Sequence, residues 1–255
     1  MTTSGWDTVK RDAYADVRRK PFDDLVGLIE PGPRRILDLG CGTAALTREL
    51  HQRLGARETV AVDSSAEMLA TAKVPDAIRL VHGSIEELRP DGKFDLVLAS
   101  ASLHWIADHP ALFERITSWL SPGGQLAVQM PAYTDGEMRR VGREVAAREP
   151  FASQLGGYTL PEHVLEPERY LRLLHDLGYT RSRVRVEVYG ATFPSRASVS
   201  EWAEGSLLSG FRKRLAPDSF VAFARAYRER LEAILPDERP YFHTFTRLLL
   251  WGVHP

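Results

Sequence analysis

The chain has 255 residues, 44% hydrophobic and 26% charged, with 33 Lys and Arg against 34 Asp and Glu and a net charge of -1. That length admits one large α/β domain whose core needs neither disulfide nor metal. The balanced charge leaves no electrostatic footprint for nucleic acid or an anionic membrane. A single cysteine, Cys41, excludes an internal disulfide framework, and no Cys/His cluster has metal-ligand spacing, so no metal and a reducing cytoplasm are expected.

In chain order, "MTTSGWDTVKRDAYADVRRK" is charged throughout and lacks the apolar stretch of a signal peptide. Residues 1–30 read as one or two helices laid over an end of the fold, and no run approaches the ~18 apolar residues of a membrane span. From about residue 34 to 130 short apolar runs alternate with helical patterns: "RRILDL", helical "TAALTRELHQRL", "TVAVD", helical "SAEMLATAK", "IRLVHG", "FDLVLAS", helical "ALFERITSWL", then "GGQLAVQM". This is the rhythm of βαβ units and a mainly parallel sheet covered on both faces. Ser64, Ser65 and Asp108 stand where helix caps belong, and "SPGG" at 121–124 reads as a turn that ends one helix and starts the next strand. Residues 132–180 read as a helical insert with a loop at "GGYTLPEHVLEP". Strand "SRVRVEVYG", helices "VSEWAEGSLL" and "DSFVAFARAYRERLEAIL" and the apolar strand "FTRLLLWGV" complete the chain, which carries no internal repeat.

Chemistry concentrates in "ILDLGCGTAALTREL". In open α/β sheets ligands bind outside the carboxyl ends of the strands, at tight turns into helices. Gly40, Gly42 and Ala45 fit the dinucleotide pattern G-x-G-x-x-G/A, with Asp63 about 20 residues on, where a carboxylate accepts ribose hydroxyls. Asp38, two residues before Gly40, separates the possibilities, because a second carboxylate faces a pyrophosphate badly and a cationic ligand well. S-adenosylmethionine (SAM) offers an ammonium, a ribose and no phosphate.

D-x-G-x-G at the first strand, an acid ending the second and L-x-P-G-G before the fifth resemble the class I SAM-dependent methyltransferases. Within them, "WD…Y…R-x-K-P" at 6–21, "VDSSAEML", "ASLHW", "LAVQMP" and "TFPS…EW" are similar to the trans-aconitate methyltransferase group. The resemblance implies a Rossmann-like, doubly wound, seven-stranded mixed sheet with its last strand antiparallel. It implies a single domain over 1–255, in which 1–30 form a lid and 132–180 a helical cap after the fifth strand. It also implies methyl transfer from SAM to a carboxylate or hydroxyl oxygen of a small organic molecule, with neither nucleic acid nor membrane as partner. For the cofactor it points to Asp38, Gly40, Gly42, Asp63, Ser64, Met68, Ser84, Ile85, Ser100 and Arg18. For the acceptor it points to Tyr14, Trp105, Gln129, Tyr133 and Tyr158, with His104 as base or orienting group because its ordinary pKa lies near neutrality.

Three positions depart from the pattern. Ala44 replaces the third glycine, Ser84 stands where an aspartate usually receives the adenine amino group, and "GSLLSGF" replaces an Arg-Pro after the late helix, which points to an acceptor other than trans-aconitate itself. Two further classes remain open at this point: an NAD-dependent oxidoreductase, and a SAM-binding protein without methyl transfer. Asp95 reads as structural, Cys41 as a buried inert thiol, Arg181, Arg183 and Arg185 as the charged outer face of an edge strand, and "RKR" at 212–214 as solvated.

Overall fold

A computed structural model describes residues 15–132 and 136–255. The elements are α1 (Ala15–Val26), β1 (Arg35–Leu39), α2 (Ala45–Leu54), β2 (Glu58–Asp63), α3 (Ala66–Ala70), β3 (Ile78–His82), β4 (Phe94–Ser100), a 3-10 turn (Leu103–Trp105), α4 (His109–Thr117) and β5 (Leu120–Pro131). They continue as α5 (Glu137–Ala146), α6 (Phe151–Leu155), α7 (Pro167–Asp176), β6 (Arg181–Phe193), α8 (Arg196–Ser206), α9 (Ser209–Arg212), α10 (Pro217–Ile234) and β7 (Tyr241–Val253).

The strands form one seven-stranded sheet in the order β3-β2-β1-β4-β5-β7-β6. The pairs from β3 through β5 are parallel, and β7 runs antiparallel to β5. The order reverses between β1 and β4, which opens a crevice at their carboxyl ends. β6 lies at an edge, as its alternating Arg and Val side chains lead one to expect.

Period-two alternation sorts each strand onto two buried faces. Leu37, Leu39, Val97, Val128 and Met130 pack with Phe113 and Ile116 of α4 and with Tyr170 and Leu174 of α7. Ile36, Leu96, Leu98, Ala127, Leu249 and Trp251 pack with Phe22, Leu25 and Val26 of α1 and with Leu50 of α2. The second half of α1 therefore lies on a face of the sheet and belongs to its core. Each of the buried Leu, Ile, Val, Phe and Met side chains contributes on the order of 1.5–3 kcal/mol by leaving water.

The chain divides into two compact units. One holds residues 20–132, 162–187 and 246–255; the other holds, among described residues, 15–19, 136–161 and 188–245. The insert expected over 132–180 is thus split, because Tyr170 and Leu174 bury into the sheet's core while Val141, Val145, Phe151 and Leu155 join Phe211, Phe223, Tyr227 and Leu231 in a helical core of their own.

The "SPGG" segment sits inside β5. α4 stops at Thr117, Leu120 already pairs with Phe94, and the next pair is Leu96 with Gln125, so the turn loops out of the ladder. Gly124 is required there, since a Cβ would stand 2.8 Å from the Ser121 carbonyl oxygen and 3.0 Å from that of Phe94. α3 is also shorter than "SAEMLATAK" suggests and ends at Ala70, five residues before Pro75.

Candidate functional site

The crevice lies at the carboxyl ends of β1, β2, β4 and β5. After β1 the backbone turns through Gly40 at φ 83° and Gly42 at φ 59°. Gly40 and Cys41 both donate their N–H groups to the Val62 carbonyl, at 2.8 and 3.0 Å, which ties the loop to β2. A Cβ on Gly40 would lie 2.3 Å from Ser102 Cβ, so a glycine is needed for space as well as for φ. Ser102 Oγ donates to the Leu39 carbonyl at 2.5 Å and locks the loop after β4 against the one after β1.

Ala44 follows at φ 54°, ψ 18°, the left-handed conformation that favours glycine, and it is wholly buried as the N-cap of α2. The departure from the glycine pattern therefore falls on a strained residue, at a cost of about 1 kcal/mol. Cys41 is half-buried, with Sγ 3.8 Å from the Gly42 carbonyl oxygen, and not sealed beneath the turn as its position suggested.

Asp38 is 4% exposed, and its Oδ2 accepts from Thr47 Oγ1 of α2 at 2.6 Å. Burial pushes its pKa up from 3.8 to about 6, the Thr47 bond opposes this, and the nearby Asp63 charge adds to it. A carboxylate held so dry is stabilised most by a cation. Asp63 receives the Gly42 N–H on Oδ2 at 2.7 Å and the Ser65 N–H on Oδ1 at 2.8 Å. A carboxylate has about four acceptor positions, so capacity remains for a pair of ligand hydroxyls.

Ser65, not Ser64, caps α3, its Oγ accepting from Met68 N at 3.2 Å; Ser64 is exposed and Met68 buried. Ser84 Oγ accepts from Glu86 N at 3.1 Å in a tight turn, and the carbonyls of Ile85 and Glu86 are held by the Arg115 guanidinium at 3.1 and 2.6 Å.

After β4, Ala101 takes φ 58° and the 3-10 turn carries His104 and Trp105, whose rings lie 4.7 Å apart at 42°. His104 is 9% exposed and Trp105 half-buried. A directional chain supports this turn. The Leu165 N–H donates to the Tyr170 hydroxyl at 3.1 Å, that hydroxyl bonds His109 Nδ1, and His109 Nε2 bonds the Leu103 carbonyl at 3.1 Å. A neutral His109 that donates from Nε2 and accepts at Nδ1 satisfies the set, and burial lowers its pKa.

Gln129 of β5 is 3% exposed, and its Nε2 donates to Ser100 Oγ at 2.9 Å. Its Oε1 is buried and has no partner. These expected residues therefore stand at the carboxyl ends of β1, β2, β3, β4 and β5. Tyr158 belongs to the helical unit, where it lies edge-on to Phe211 at 5.3 Å beneath the Arg214 guanidinium. Tyr14 and Tyr133 lie outside the described residues, as does the side chain of Arg18. Asp95 is structural, its Oδ2 accepting the N–H groups of Arg34 and Arg35, both at 2.9 Å. Arg212 of "RKR" is not simply solvated: it lies over the Phe220 ring at 4.2 Å and 3.6 Å from Glu204. Among the described residues no His/Cys/Asp/Glu group could hold a metal, and no helix is long and apolar enough to cross a membrane.

A family model described as a methyltransferase domain matches residues 36–124, which hold the glycine turn, Asp38, Asp63 and the loop after β4. A trans-aconitate 2-methyltransferase of Deinococcus radiodurans is 36% identical over 98% of this chain and 98% of its own length. The chain belongs to the class I SAM-dependent methyltransferases. A second trans-aconitate 2-methyltransferase, from Acidovorax ebreus, is 32% identical over 89% of this methyltransferase and 88% of its own chain. The crystal structure of the YcgJ protein of Bacillus subtilis shares the fold with a TM-score of 0.60 at 12% identity, covering 92% of this chain and 98% of that one. SAM is the cofactor, and the dinucleotide reading of the glycine turn is set aside.

Sequence reasoning missed Thr47, Ser102, His109 and Tyr170, and named Ser65 only as one of two candidate helix caps.

Proposed function

We propose that this enzyme methylates a carboxylate oxygen of a small organic acid, with trans-aconitate the first acceptor to test, in a cytoplasmic setting suited to a chain with a single cysteine. The observation that carries the reading is the near full-length similarity to enzymes named trans-aconitate 2-methyltransferases. The residues fit the cofactor: Asp38 supplies a dry anion for the SAM ammonium, Asp63 two open acceptor positions for the ribose, and the Gly40–Gly42 turn a backbone without side chains in the way. Ser64, Met68, Ser84, Ile85, Ser100 and Arg18 complete the cofactor contacts in this reading.

When bound, SAM supplies a methyl group activated by its sulfonium. The chain's part is positioning: holding donor and acceptor in line and dry accounts for most of the acceleration such a displacement needs. A carboxylate is already ionised at neutral pH, so no base has to act. His104 then serves as a hydrogen-bond donor that orients the acceptor, with Trp105 and Gln129 beside it.

The test is an assay with SAM of trans-aconitate, other small carboxylic acids and a set of phenols, the product read by mass spectrometry and by lability to mild base. Base-labile esters are expected, with a rate that shows no ionisation near pH 6.5 assignable to a base. Methylation of phenols with carboxylates untouched would overturn the reading.

A further inference from the structure

β6 is an outermost strand of the sheet and runs for 13 residues, and among the described strands none covers the N–H and C=O groups on its outer side. Its two faces differ. Arg181, Arg183, Arg185 and Glu187 follow one another on one face, and Val184, Val186 and Val188 on the other. Val184 is half-buried against the sheet's core, but the apolar row then runs out into solvent, with Val186 45% and Val188 69% exposed. On that same face Gly190 comes next, and Phe242 of β7 lies over it, Cζ 2.2 Å from where a Cβ would stand. Phe242 is itself exposed, so the strip of uncovered apolar surface continues past the valines.

The charged face decides what can dock there. A row of cations discourages pairing with another edge. Glu187 breaks the row, and its carboxylate lies 4.0 Å from the Arg185 guanidinium. When a second copy of β6 adds antiparallel about a two-fold axis normal to the sheet, residues equidistant from the axis oppose one another and keep their faces. With the axis at residue 182 or 184, arginine opposes arginine; at 183, 185 or 187, a charged residue opposes itself. With the axis at Val186, Arg185 stands opposite Glu187 of the second copy, twice by symmetry, while Val184 meets Val188 and Val186 meets its own copy. Beyond 187 the Arg185 side chain loses its counter-charge. One register therefore satisfies both faces: four charges alternate in sign around the axis, and the exposed valines cover each other.

We propose that β6 is a self-complementary edge through which two copies of this chain dimerise, by antiparallel β6 pairing centred on Val186. Backbone hydrogen bonds between the edges supply affinity that any extended strand could share, and the Arg185–Glu187 pairs select the register and reject other edges. A second copy is the favoured occupant because the counter-charge that Arg185 needs is carried two residues away on the strand itself. β6 holds none of the residues assigned to cofactor or acceptor, so the dimer stands apart from the acceptor reading.

The experiment measures self-association by sedimentation equilibrium from about 1 to 100 µM for wild type, Arg185→Glu, Glu187→Arg and the double exchange Arg185→Glu/Glu187→Arg, with SAM affinity by calorimetry as the check on folding. An interface of paired edges is small, so wild type should dimerise with a Kd on the order of 10 µM. Each single exchange sets like charges opposite each other twice and should raise that Kd about tenfold or more. The double exchange restores opposite charges and should return it to within about threefold of wild type, with SAM affinity unchanged throughout. Wild type that stays monomeric at about 100 µM overturns the proposal and hands the edge to a partner of another sequence. Dimers indifferent to both single exchanges overturn it, since the interface then lies elsewhere, and so does weakening that the double exchange fails to rescue. Hydrogen exchange on wild type alone gives a second reading: residues 183–189 should gain protection as the concentration rises through Kd, and protection there that ignores concentration overturns the pairing.

Discussion

In the proposed reading, Asp38 couples cofactor binding to protons. With its pKa near 6 in the ligand-free protein, a cation beside it holds the carboxylate ionised, so SAM affinity should be constant above about pH 7 and fall as pH drops through 6. Calorimetry in two buffers of different ionisation enthalpy should show proton release near pH 6; its absence would detach Asp38 from the ammonium. The same group destabilises the empty protein. Its folded pKa lies above its unfolded value of 3.8, so its contribution is most favourable below 3.8 and is lost as pH rises through 6, a difference of about 3 kcal/mol at neutral pH. Asp38→Asn, which keeps an acceptor for Thr47, should therefore raise the ligand-free Tm at pH 7.5 while weakening SAM binding by at least tenfold. Asp63→Ala should be worse for both, because the Gly42 and Ser65 N–H groups lose their acceptor together with the ribose, about 1–3 kcal/mol for each unpaired donor. SAM binding by that variant equal to wild type would dismiss the ribose assignment. Both acids were legible from strand position and spacing. Thr47 was not, because a side chain one helical turn into α2 meets Asp38 only after the Gly40–Gly42 turn folds the helix back over β1.

At the scale of elements, α2 starts from a strained residue. Ala44→Gly relieves the left-handed conformation at the helix's N-cap and should stabilise the protein by up to about 1 kcal/mol in denaturant unfolding, offset in part by the extra freedom of glycine in the unfolded chain. A loss of stability would mean that the buried methyl contributes more than the strain removes. The 3-10 turn bearing His104 depends on α4 and α7 through His109 and Tyr170. Tyr170→Phe should cost about 1–3 kcal/mol, since the Leu165 N–H and His109 Nδ1 both lose their partner. His109 acts with the opposite sign to Asp38: its folded pKa is depressed, so stability falls as pH drops below its unfolded value of 6.5. Strand and helix identities were legible because period-two apolar runs alternate with amphipathic stretches. Their ends were less so: α4 stops at Thr117 because "SPGG" loops within β5, an outcome set by pairing between Phe94 and Leu120 that no local pattern encodes.

At the scale of the whole molecule, Asp38, Gly40, Gly42, Asp63, Ser64, Met68, Ser84, Ile85 and Ser100 all lie in the sheet-bearing unit. Saturating S-adenosylhomocysteine at about 100 times its Kd should stabilise the folded protein by about 2.7 kcal/mol. In hydrogen exchange the added protection should concentrate at residues 40–45, 63–68, 83–86 and 100–105; protection centred instead on 209–230 would relocate the site. The division of the chain at residues 161 and 187 was not readable in advance, because α7 shows the same amphipathic period as α5, and only tertiary packing decides that Tyr170 and Leu174 enter the sheet's core.

Ser102 occupies the space that a side chain at position 40 would need, and it also ties down the Leu39 carbonyl. Neither position can drift alone: bulk gained at 40 has to be surrendered at 102, so the loop after β1 cannot be rewritten without editing the loop after β4.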